Sequence, residues 1–330
     1  MAKKVVLETG KTFGEFCLLT SFTSKNCTLQ NISLETNLGG LKLSHPFLSA
    51  AMTSVTGYEM ALALGKEGGL GVLPARLLIE EQVSIIEKIK GYEMGFVEDP
   101  ITVRETATID EVVRLVEKHG HSKVPIVDRN NVFLGLFSFD RYLEANATPG
   151  DKATKIMIDL KDLPITKNPD ITLENAKKEL SGKKYLIVLD DLGRLVKIAF
   201  KKDIENIPVA AAISTHKGWK ERVQACVNAG VNMIVVDTSD GFNEYTSKVI
   251  KEFKNMKTEL PICVGNVITY DGARFLMENG ADVIKVGMSS GSICTTHREK
   301  ATGRAPMTAL LEASQARDDY FDKTGNYVPL

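Results

Sequence analysis

Short apolar runs alternate with helical patterns from about residue 205 onward. The apolar runs are continuous, which is typical of parallel strands that are buried on both faces. Gly230 and Gly280 each follow a helical pattern, where the left-handed conformation open to glycine ends a helix. The predicted strands are Val209–Ser214, Met233–Asp237, Leu260–Asn266 and Val283–Val286, and the predicted helices are Trp219–Asn228, Glu244–Phe253 and Tyr270–Glu278.

The N-terminal region shows the same alternation. Strands are predicted at Phe47–Met52 and Leu70–Pro74, and helices at about Tyr58–Glu67 and Glu80–Lys90. Both regions together predict parallel β/α units, so the fold class is α/β and a TIM (β/α)8-type barrel is the most natural arrangement. The strands counted here leave that barrel incomplete. A doubly wound sheet has the same periodicity and stays open as an alternative.

The middle of the chain has a different pattern, which occurs twice. Val124–Ser138 predicts a strand, a polar turn and a strand, and Tyr185–Phe200 repeats this arrangement. Each copy follows an amphipathic helix opened by a threonine, Thr108 or Thr172. Such a repeat indicates a paired module inserted into the β/α domain, whose ends must lie close together. The predicted division is residues 1–97 and 207–330 for the barrel and 98–206 for the insert, with halves at about 98–150 and 151–206.

Polar residues follow the predicted strands where each strand ends. Because the C-terminal ends of parallel strands meet at one edge, these residues are expected to form a single site. His216 is expected to be structural rather than catalytic. The segments at this edge are Ser214-Thr215-His216, Asp237–Gly241, Gly265-Asn266, Lys285 and Gly287–Thr296.

The loop Gly287–Thr296 carries the strongest chemical signal. It is built of glycine, serine and threonine around one cysteine, Cys294. Small residues let backbone N–H groups approach an anion closely, and oriented N–H dipoles favour a thiolate, the form that attacks an electrophilic carbon. Cys294 is therefore a candidate nucleophile. A flexible strand-to-helix connection with an inert thiol is the alternative.

Composition narrows the function classes. Hydrophobic residues make up 43% of the chain and charged residues 25%, which is typical of a globular protein with an ordinary core. The net charge of −1 provides no basic field, so nucleic acid is not expected as a partner. The five cysteines include no CxxC pair, which favours a reducing compartment over disulfides or a zinc site. No signal peptide is visible and no apolar run reaches the roughly 20 residues that span a bilayer, so a cytoplasmic location without membrane contact is expected.

Several segments together resemble the IMP dehydrogenase family. They are Met52–Thr56, Glu67–Gly71, Asp237–Gly241, Val264–Val267 and Gly287–Thr296, the last of which is similar to the family's active-site loop. The repeated insert resembles the pair of CBS (cystathionine-β-synthase-type) modules that this family carries within its barrel. The resemblance extends over nearly the whole chain, in order.

The resemblance implies NAD-dependent oxidation of IMP to XMP in guanine nucleotide biosynthesis. Cys294 would add to C2 of the purine, hydride would leave to NAD, and water would release XMP from the covalent thioimidate. Thr296 matches a threonine proposed to assist proton transfer, with a helix N-cap as its alternative role. Asp237 would bind the NAD ribose, or else cap the next helix. The other implied ligands are Ser292, Asn266 and Met52 for IMP, Gly287, Met288 and Ser289 for NAD, and the backbone carbonyls of Ser289, Gly291 and Cys294 for a potassium ion.

The chain departs from the family pattern within two of these segments. Ser289 stands where the family usually has glycine, which bears on the backbone angle and on the potassium site. In the insert, Arg141 stands where the nucleotide-binding pattern has an acid, whereas the second copy keeps Asp203. Adenine or guanine nucleotides bound at the insert and a purely structural insert therefore both stay open. His297, which follows the loop, is expected to be exposed.

The end of the chain is a further departure. Leu330 comes where the seventh barrel strand of the family would begin. The family's other phosphate loops and mobile flap lie beyond that point, so residues 1–330 alone are not expected to turn over IMP. The resemblance suggests a homotetramer. Two other functions stay open, namely GMP reductase, which shares the loop but usually lacks the insert, and a non-catalytic nucleotide-sensing homologue.

Overall fold

The computed structural model describes residues 9–28, 31–92, 95–119, 122–200, 207–291 and 296–330, apart from the side chain of His297. Its contacts divide the chain into two compact units. The first comprises Met1–Gly91 and Ile207–Leu330, and the second comprises Tyr92–Asn206. The sequence places the first boundary at residue 97 instead. The difference arises because Phe96–Val97 forms a strand that pairs within the second unit.

The described elements are numbered here in chain order. The strands are β1 (Thr36–Leu38), β2 (Leu41–Leu43), β3 (Gly71–Leu73), β4 (Phe96–Val97), β5 (Val103–Arg104), β6 (Lys123–Val127), β7 (Phe133–Ser138), β8 (Ile158–Asp159), β9 (Ile165–Thr166), β10 (Tyr185–Leu189), β11 (Leu195–Phe200), β12 (Val209–Ile213), β13 (Met233–Asp237), β14 (Ile262–Val267) and β15 (Val283–Val286). The α-helices are α1 (Tyr58–Lys66), α2 (Ile79–Lys90), α3 (Ile109–His119), α4 (Phe139–Glu144), α5 (Leu173–Glu179), α6 (Trp219–Asn228), α7 (Glu244–Asn255), α8 (Tyr270–Glu278), α9 (Thr296–Lys300) and α10 (Pro306–Thr324).

Five parallel strands form the main sheet of the first unit, in the order β15-β14-β13-β12-β3. Helices α6, α7 and α8 connect four of these strands in turn. The α/β class and the parallel sheet are therefore confirmed, with each strand where the apolar runs predict it. Among the described residues the sheet stays open between β3 and β15, so the closed barrel remains a prediction.

The strand predicted at Phe47–Met52 is too long. Only Leu48 forms a parallel bridge there, with Leu70. Beyond the bridge the chain turns, and Met52 N donates a hydrogen bond to Ala50 O at 2.8 Å. The turn ends the pairing with Leu70, and the large apolar side chains of this run, Phe47, Leu48 and Met52, are exposed.

Every second residue along the strands points to the same face of the main sheet. On one face these residues, together with Leu70 directly before β3, are buried. They form one buried cluster, to which the β1–β2 hairpin adds Leu38 and Leu43. The sheet residues of this cluster are Leu70, Val72, Ala210, Ala212, Met233, Val235, Cys263 and Val283. The next positions on the same face, at the C-terminal ends of three strands, are Asp237, Gly265 and Lys285.

Helix α10 is not predicted from the sequence. It begins at Pro306 and ends before Gly325, whose φ of 72° is left-handed. Its buried residues are Ala309, Ala313 and Ala316, and it packs on α8. A stripe made only of alanines has little hydrophobic contrast with its surroundings, so the helical period is hard to see.

The second unit consists of two four-stranded sheets. One has the order β5-β6-β7-β8, and the other has the order β9-β10-β11-β4. Each sheet contains an antiparallel hairpin, β6–β7 or β10–β11, at the positions predicted from the repeat. One edge strand of each sheet comes from the other repeat, since β8 pairs with β7 and β4 pairs with β11. The repeats thus exchange their first strands. A division of the unit at residue 150 therefore leaves neither sheet complete.

The two hairpin turns of the second unit are built alike. Asp128 Oδ1 accepts from Val132 N at 2.8 Å, and Asp190 Oδ1 accepts from Arg194 N at 2.8 Å. The turns also meet, because Val132 and Arg194 form an antiparallel bridge. Apolar residues from both repeats are buried together in one cluster, namely Phe133, Leu136, Leu163, Ile187 and Leu189.

Candidate active site

Three residues lie side by side at the C-terminal ends of β13, β14 and β15. Asp237 is in register with Gly265, and Gly265 is in register with Lys285. Lys285 Nζ donates to Asp237 Oδ1 at 2.6 Å, with side-chain exposures of 35% and 27%. The sequence places all three residues at one edge. It does not predict the ion pair between Lys285 and Asp237. Their positions at strand ends indicate a common edge, but the pairing also depends on the register of three strands.

Backbone hydrogen bonds hold the segments after β13 and within β14 together. Thr238 N donates to Gly265 O at 3.0 Å, Asn266 N donates to Thr238 O at 3.1 Å, and Gly241 N donates to Asn266 O at 2.7 Å. A Cβ on Gly241 would lie 3.1 Å from the carbonyl carbon of Gly265, so this approach favours glycine. The backbone around Asp237 is therefore fixed on both sides.

Asn266, a predicted IMP ligand, presents an unused acceptor at this edge. Its side-chain Oδ1 is buried and accepts no hydrogen bond from the part of the chain that the structure describes. A buried carbonyl oxygen without a donor costs free energy, which a ligand N–H or O–H would recover. The amide of Asn266 therefore suits a bound polar ligand.

Asp237 does not cap the helix that follows. The N-cap of α7 is Asn243, whose side chain accepts from Thr246 N at 3.0 Å. The capping alternative for Asp237 is therefore wrong. Its carboxylate instead stands at the strand end, where among the described residues Lys285 supplies its one side-chain hydrogen bond, on Oδ1.

The described part of the loop after β15 has an ordered backbone path. Gly287 N donates to Val267 O at 2.9 Å, and the next residue, Met288, is buried and bridges to Arg304. Ser289 has a φ of 61°, and its Oγ donates to Thr302 O at 2.8 Å. The serine thus takes the left-handed conformation expected of a glycine, with a hydrogen bond that helps to offset the strain.

Several predicted residues of this loop cannot be placed. Ser292 and Cys294 lie outside the described residues, so the nucleophile and the implied phosphate ligand stay predictions. Thr296 is the first residue of α9, and Gly291 is described as exposed. At the far end of α9, Lys300 Nζ donates to Ser239 Oγ at 2.9 Å. This contact links the segment that follows Cys294 to the loop that follows Asp237.

The remaining predicted residues lie in neighbouring loops. Met52 is 37% exposed in the turn that follows the Leu48 bridge. Thr56 is buried there, and its Oγ1 donates to Ala50 O at 2.6 Å. His216 is exposed beyond β12. The structure gives no contact from Met52 to the row at Asp237.

The two buried cysteines, Cys226 and Cys263, are poor nucleophiles. Burial raises the pKa of Cys263 to about 12, even though Lys285 nearby opposes this shift. Burial likewise raises the pKa of Cys226 to about 11. Cys17 and Cys27 are exposed. Neither buried thiol forms an appreciable thiolate near neutral pH.

Two kinds of feature are absent from the described ranges. No group of three or more His, Cys, Asp or Glu side chains there could hold a metal ion. Within the same residues, no helix is both long and apolar enough to cross a membrane.

Comparison with known proteins identifies similar chains and folds. The family described as "IMP dehydrogenase / GMP reductase domain" matches residues 10–324. An inosine-5'-monophosphate dehydrogenase from Tritrichomonas foetus is 30% identical, over 97% of this chain and 69% of the relative. The same enzyme from Aquifex aeolicus is 34% identical, over 85% of this chain and 60% of the relative. The chain thus spans only about 60% to 69% of the length of these relatives.

Solved structures of similar fold include a GMP reductase from Trypanosoma brucei in complex with guanosine 5'-triphosphate. It superposes with a TM-score of 0.60 at 23% identity, over 95% of this chain and 79% of that one. A crystal structure of GMP reductase from the same organism with guanosine 5'-monophosphate gives a TM-score of 0.61 at 22% identity, over 95% and 70% of the two chains. At this level of identity the likeness shows the fold.

Proposed function

Because this chain belongs to the IMP dehydrogenase / GMP reductase family, we propose that it supplies the nucleophile and the dinucleotide site for NAD-dependent oxidation of IMP to XMP. The observation that carries this proposal is the Asp237 carboxylate at the sheet edge from which the Cys294 loop departs. Asp237 and Gly287, where the described part of the Cys294 loop begins, thus lie at one edge of the sheet. This arrangement suits a substrate and a dinucleotide bound next to each other.

The residues present fit a bound NAD. Oδ2 of Asp237 accepts no hydrogen bond from the described residues and is open to the hydroxyls of a ribose, which are good donors to a carboxylate. Gly287, Met288 and Ser289 would form the adjoining wall. When bound, NAD supplies the hydride acceptor.

The chemistry at IMP would rest on Cys294. C2 of the purine is a poor hydride donor until a nucleophile makes it tetrahedral, and a thiolate is soft enough to add there. A sulfur–carbon bond forms, the C2–H bond breaks with hydride departing, and water then breaks the sulfur–carbon bond to give XMP and the free thiol. Thr296 would move a proton in the last step. Ser292, Asn266 and Met52 would hold IMP.

A potassium ion is part of the same proposal. The carbonyls of Ser289, Gly291 and Cys294 would bind it, and its chemistry would be to hold the loop in shape. The left-handed φ of 61° at Ser289 supports this, since the serine takes the backbone angle that a glycine would supply.

We also include a regulatory role for the second unit, as a CBS pair that binds adenine or guanine nucleotides. Its repeated sheets with exchanged strands support the assignment. A cleft of about 570 Å³ within it is lined by lysines that could meet phosphate, together with Asp162, Leu163, Pro164 and Tyr185. The lysines are Lys123, Lys161, Lys183 and Lys184. The homotetramer rests on the resemblance, and the cytoplasmic location rests on the cysteine pattern of the sequence.

The test is to trap the covalent adduct. The chain is incubated with IMP and NAD, quenched in acid, and examined by intact mass and peptide mapping. We expect an added purine nucleotide on Cys294, and none in Cys294→Ser. Cys226 and Cys263 serve as internal controls, because their raised pKa values keep them protonated at pH 8. An adduct on either of them, or an adduct that survives Cys294→Ser, would contradict the assignment.

The reverse assignment, GMP reductase, is tested with the same protein. Here the chain is offered GMP with NADPH, and then IMP with NAD at equal concentrations. An adduct formed with GMP and NADPH but not with IMP and NAD would favour the reductase. Nucleotide binding without an adduct in either mixture would favour a non-catalytic nucleotide-sensing homologue.

A further inference from the structure

The ion pair between Lys285 and Asp237 spans a whole strand. Asp237 lies on β13 and Lys285 on β15, with β14 between them. Neighbouring strands lie about 4.8 Å apart, so the outer two are separated by nearly twice that distance. A lysine has the length to cover this gap if nothing stands on the middle strand. The residue that it crosses is Gly265.

Gly265 creates the passage. A Cβ at this position would lie 2.7 Å from Lys285 Cβ and overlap Lys285 O still more closely. The stem of Lys285 therefore passes directly over the bare Cα of the glycine. Any larger residue at 265 would displace the lysine and the strand that carries it.

The pair leaves half of the carboxylate available. Lys285 Nζ donates to Oδ1 at 2.6 Å, and among the described residues no donor reaches Oδ2. Charge-assisted hydrogen bonds of this length fix the orientation of the acceptor. The carboxylate is thereby held in one orientation, with Oδ2 left without a donor among the described residues.

We infer that Lys285 is a positioning residue for the dinucleotide: by reaching across Gly265 it holds Asp237 so that Oδ2 accepts from a ribose diol. This inference rests on the proposed NAD site. The lysine acts through Asp237 and does not itself contact the ligand. Removing it leaves an acid that rotates freely, so that part of the binding free energy is spent on ordering the carboxylate.

The experiment compares NAD+ binding to the unchanged chain, Lys285→Met and Lys285→Arg by isothermal titration calorimetry. We expect the Kd to rise about tenfold in Lys285→Met, because part of the binding free energy is then spent on ordering the carboxylate. Lys285→Arg keeps the charge and should recover most of the affinity. The melting temperature of each variant is recorded alongside.

A second ligand separates positioning from direct contact. NAD+ that lacks the 2′-hydroxyl of its nicotinamide ribose should bind the unchanged chain more weakly, but should bind Lys285→Met almost as well as NAD+ does. Such non-additivity is expected only if the lysine and the hydroxyl act through one carboxylate. Additive losses would make Lys285 a direct ligand and overturn the inference.

The control variant is Lys254→Met, which breaks a lysine–aspartate pair at the other end of β15. Its Kd for NAD+ should be unchanged. If the unchanged chain binds NAD+ and Lys285→Met binds it equally well, the inference is wrong and the proposed function stands. If the unchanged chain does not bind NAD+, both are overturned.

Discussion

Strand β15 has a lysine–aspartate pair at each end, and the two pairs differ in how fully they are satisfied. At the N-terminal end, Lys254 Nζ lies 2.7 Å from both oxygens of Asp282, and Asp282 Oδ2 also accepts from Ile262 N at 2.8 Å. At the C-terminal end, Lys285 contacts only Oδ1 of Asp237. The two aspartates are equally exposed, at 27% each.

Solvent exposure therefore does not distinguish a structural pair from a candidate binding pair. The two pairs differ in whether both carboxylate oxygens already accept hydrogen bonds. Asp282 uses its oxygens to hold β14 and α7 in place. Oδ2 of Asp237 accepts no hydrogen bond from the described residues, and Asp237 lies at the edge where ligands of parallel sheets bind. A surface ion pair adds little stability by itself, so an incompletely used carboxylate in a fixed position points to a ligand.

The largest effect is expected from Gly265→Ala, which fills the passage used by Lys285. The new methyl would meet the backbone of β15, so we expect the free energy of unfolding to fall by more than about 3 kcal/mol, or the chain not to fold. Gly150→Ala is the matched control, because a Cβ there meets nothing within 4 Å. Urea unfolding gives both values. A stable Gly265→Ala that retains the ion pair would refute the account of the passage.

The next effect is a crossover between Asp237→Ala and Asp282→Ala. The first should weaken NAD+ binding by about 2 kcal/mol while hardly changing stability. The second should lower stability by about 1–2 kcal/mol, because it leaves Ile262 N without its acceptor, and should leave NAD+ binding unchanged. Calorimetry and urea unfolding are measured on both variants. Equal losses in both assays would show that the two pairs do the same work.

A third effect concerns another lysine, Lys90, whose Nζ donates to two neutral oxygens, Ile207 O at 2.8 Å and Asn232 Oδ1 at 2.5 Å. Burial lowers the pKa of Lys90 from 10.5 to about 8. Between these values the unfolded chain holds a proton that the folded chain has released, so stability rises as the pH rises. The stability of the unchanged chain relative to Lys90→Met should therefore increase from pH 7 to pH 10. A difference that does not vary with pH would show that this lysine stays charged when folded.

The sequence predicts well those parts of the fold that depend on hydrophobic period. Strands β12 to β15 are buried on both faces and occur where continuous apolar runs place them. The Phe47–Met52 run fails as a strand because a turn after Ala50, rather than apolar character, ends its pairing. Helix α10 is missed because its buried stripe is alanine.

The candidate site is predictable in residue type but not in its contacts. Polar residues after each strand indicate the correct edge, since chain direction alone brings strand ends together. The alignment of Asp237 with Gly265 and Lys285 depends on the register of three strands, which no local pattern contains. The choice of Asn243 over Asp237 as the cap of α7, in contrast, follows from the sequence, because the predicted helix already begins at Glu244.

The exchange of first strands in Tyr92–Asn206 bears on how such a segment can be inherited. Each four-stranded sheet takes one strand from the other repeat, so a single repeat made alone would expose a bare hairpin edge. A duplication that produced this segment would have yielded a folded product as a pair, within one chain or between two. Recombination near residue 150 would likewise yield two fragments with unpaired strand edges rather than two small domains. The two repeats are therefore expected to be inherited together, because each sheet needs a strand from both.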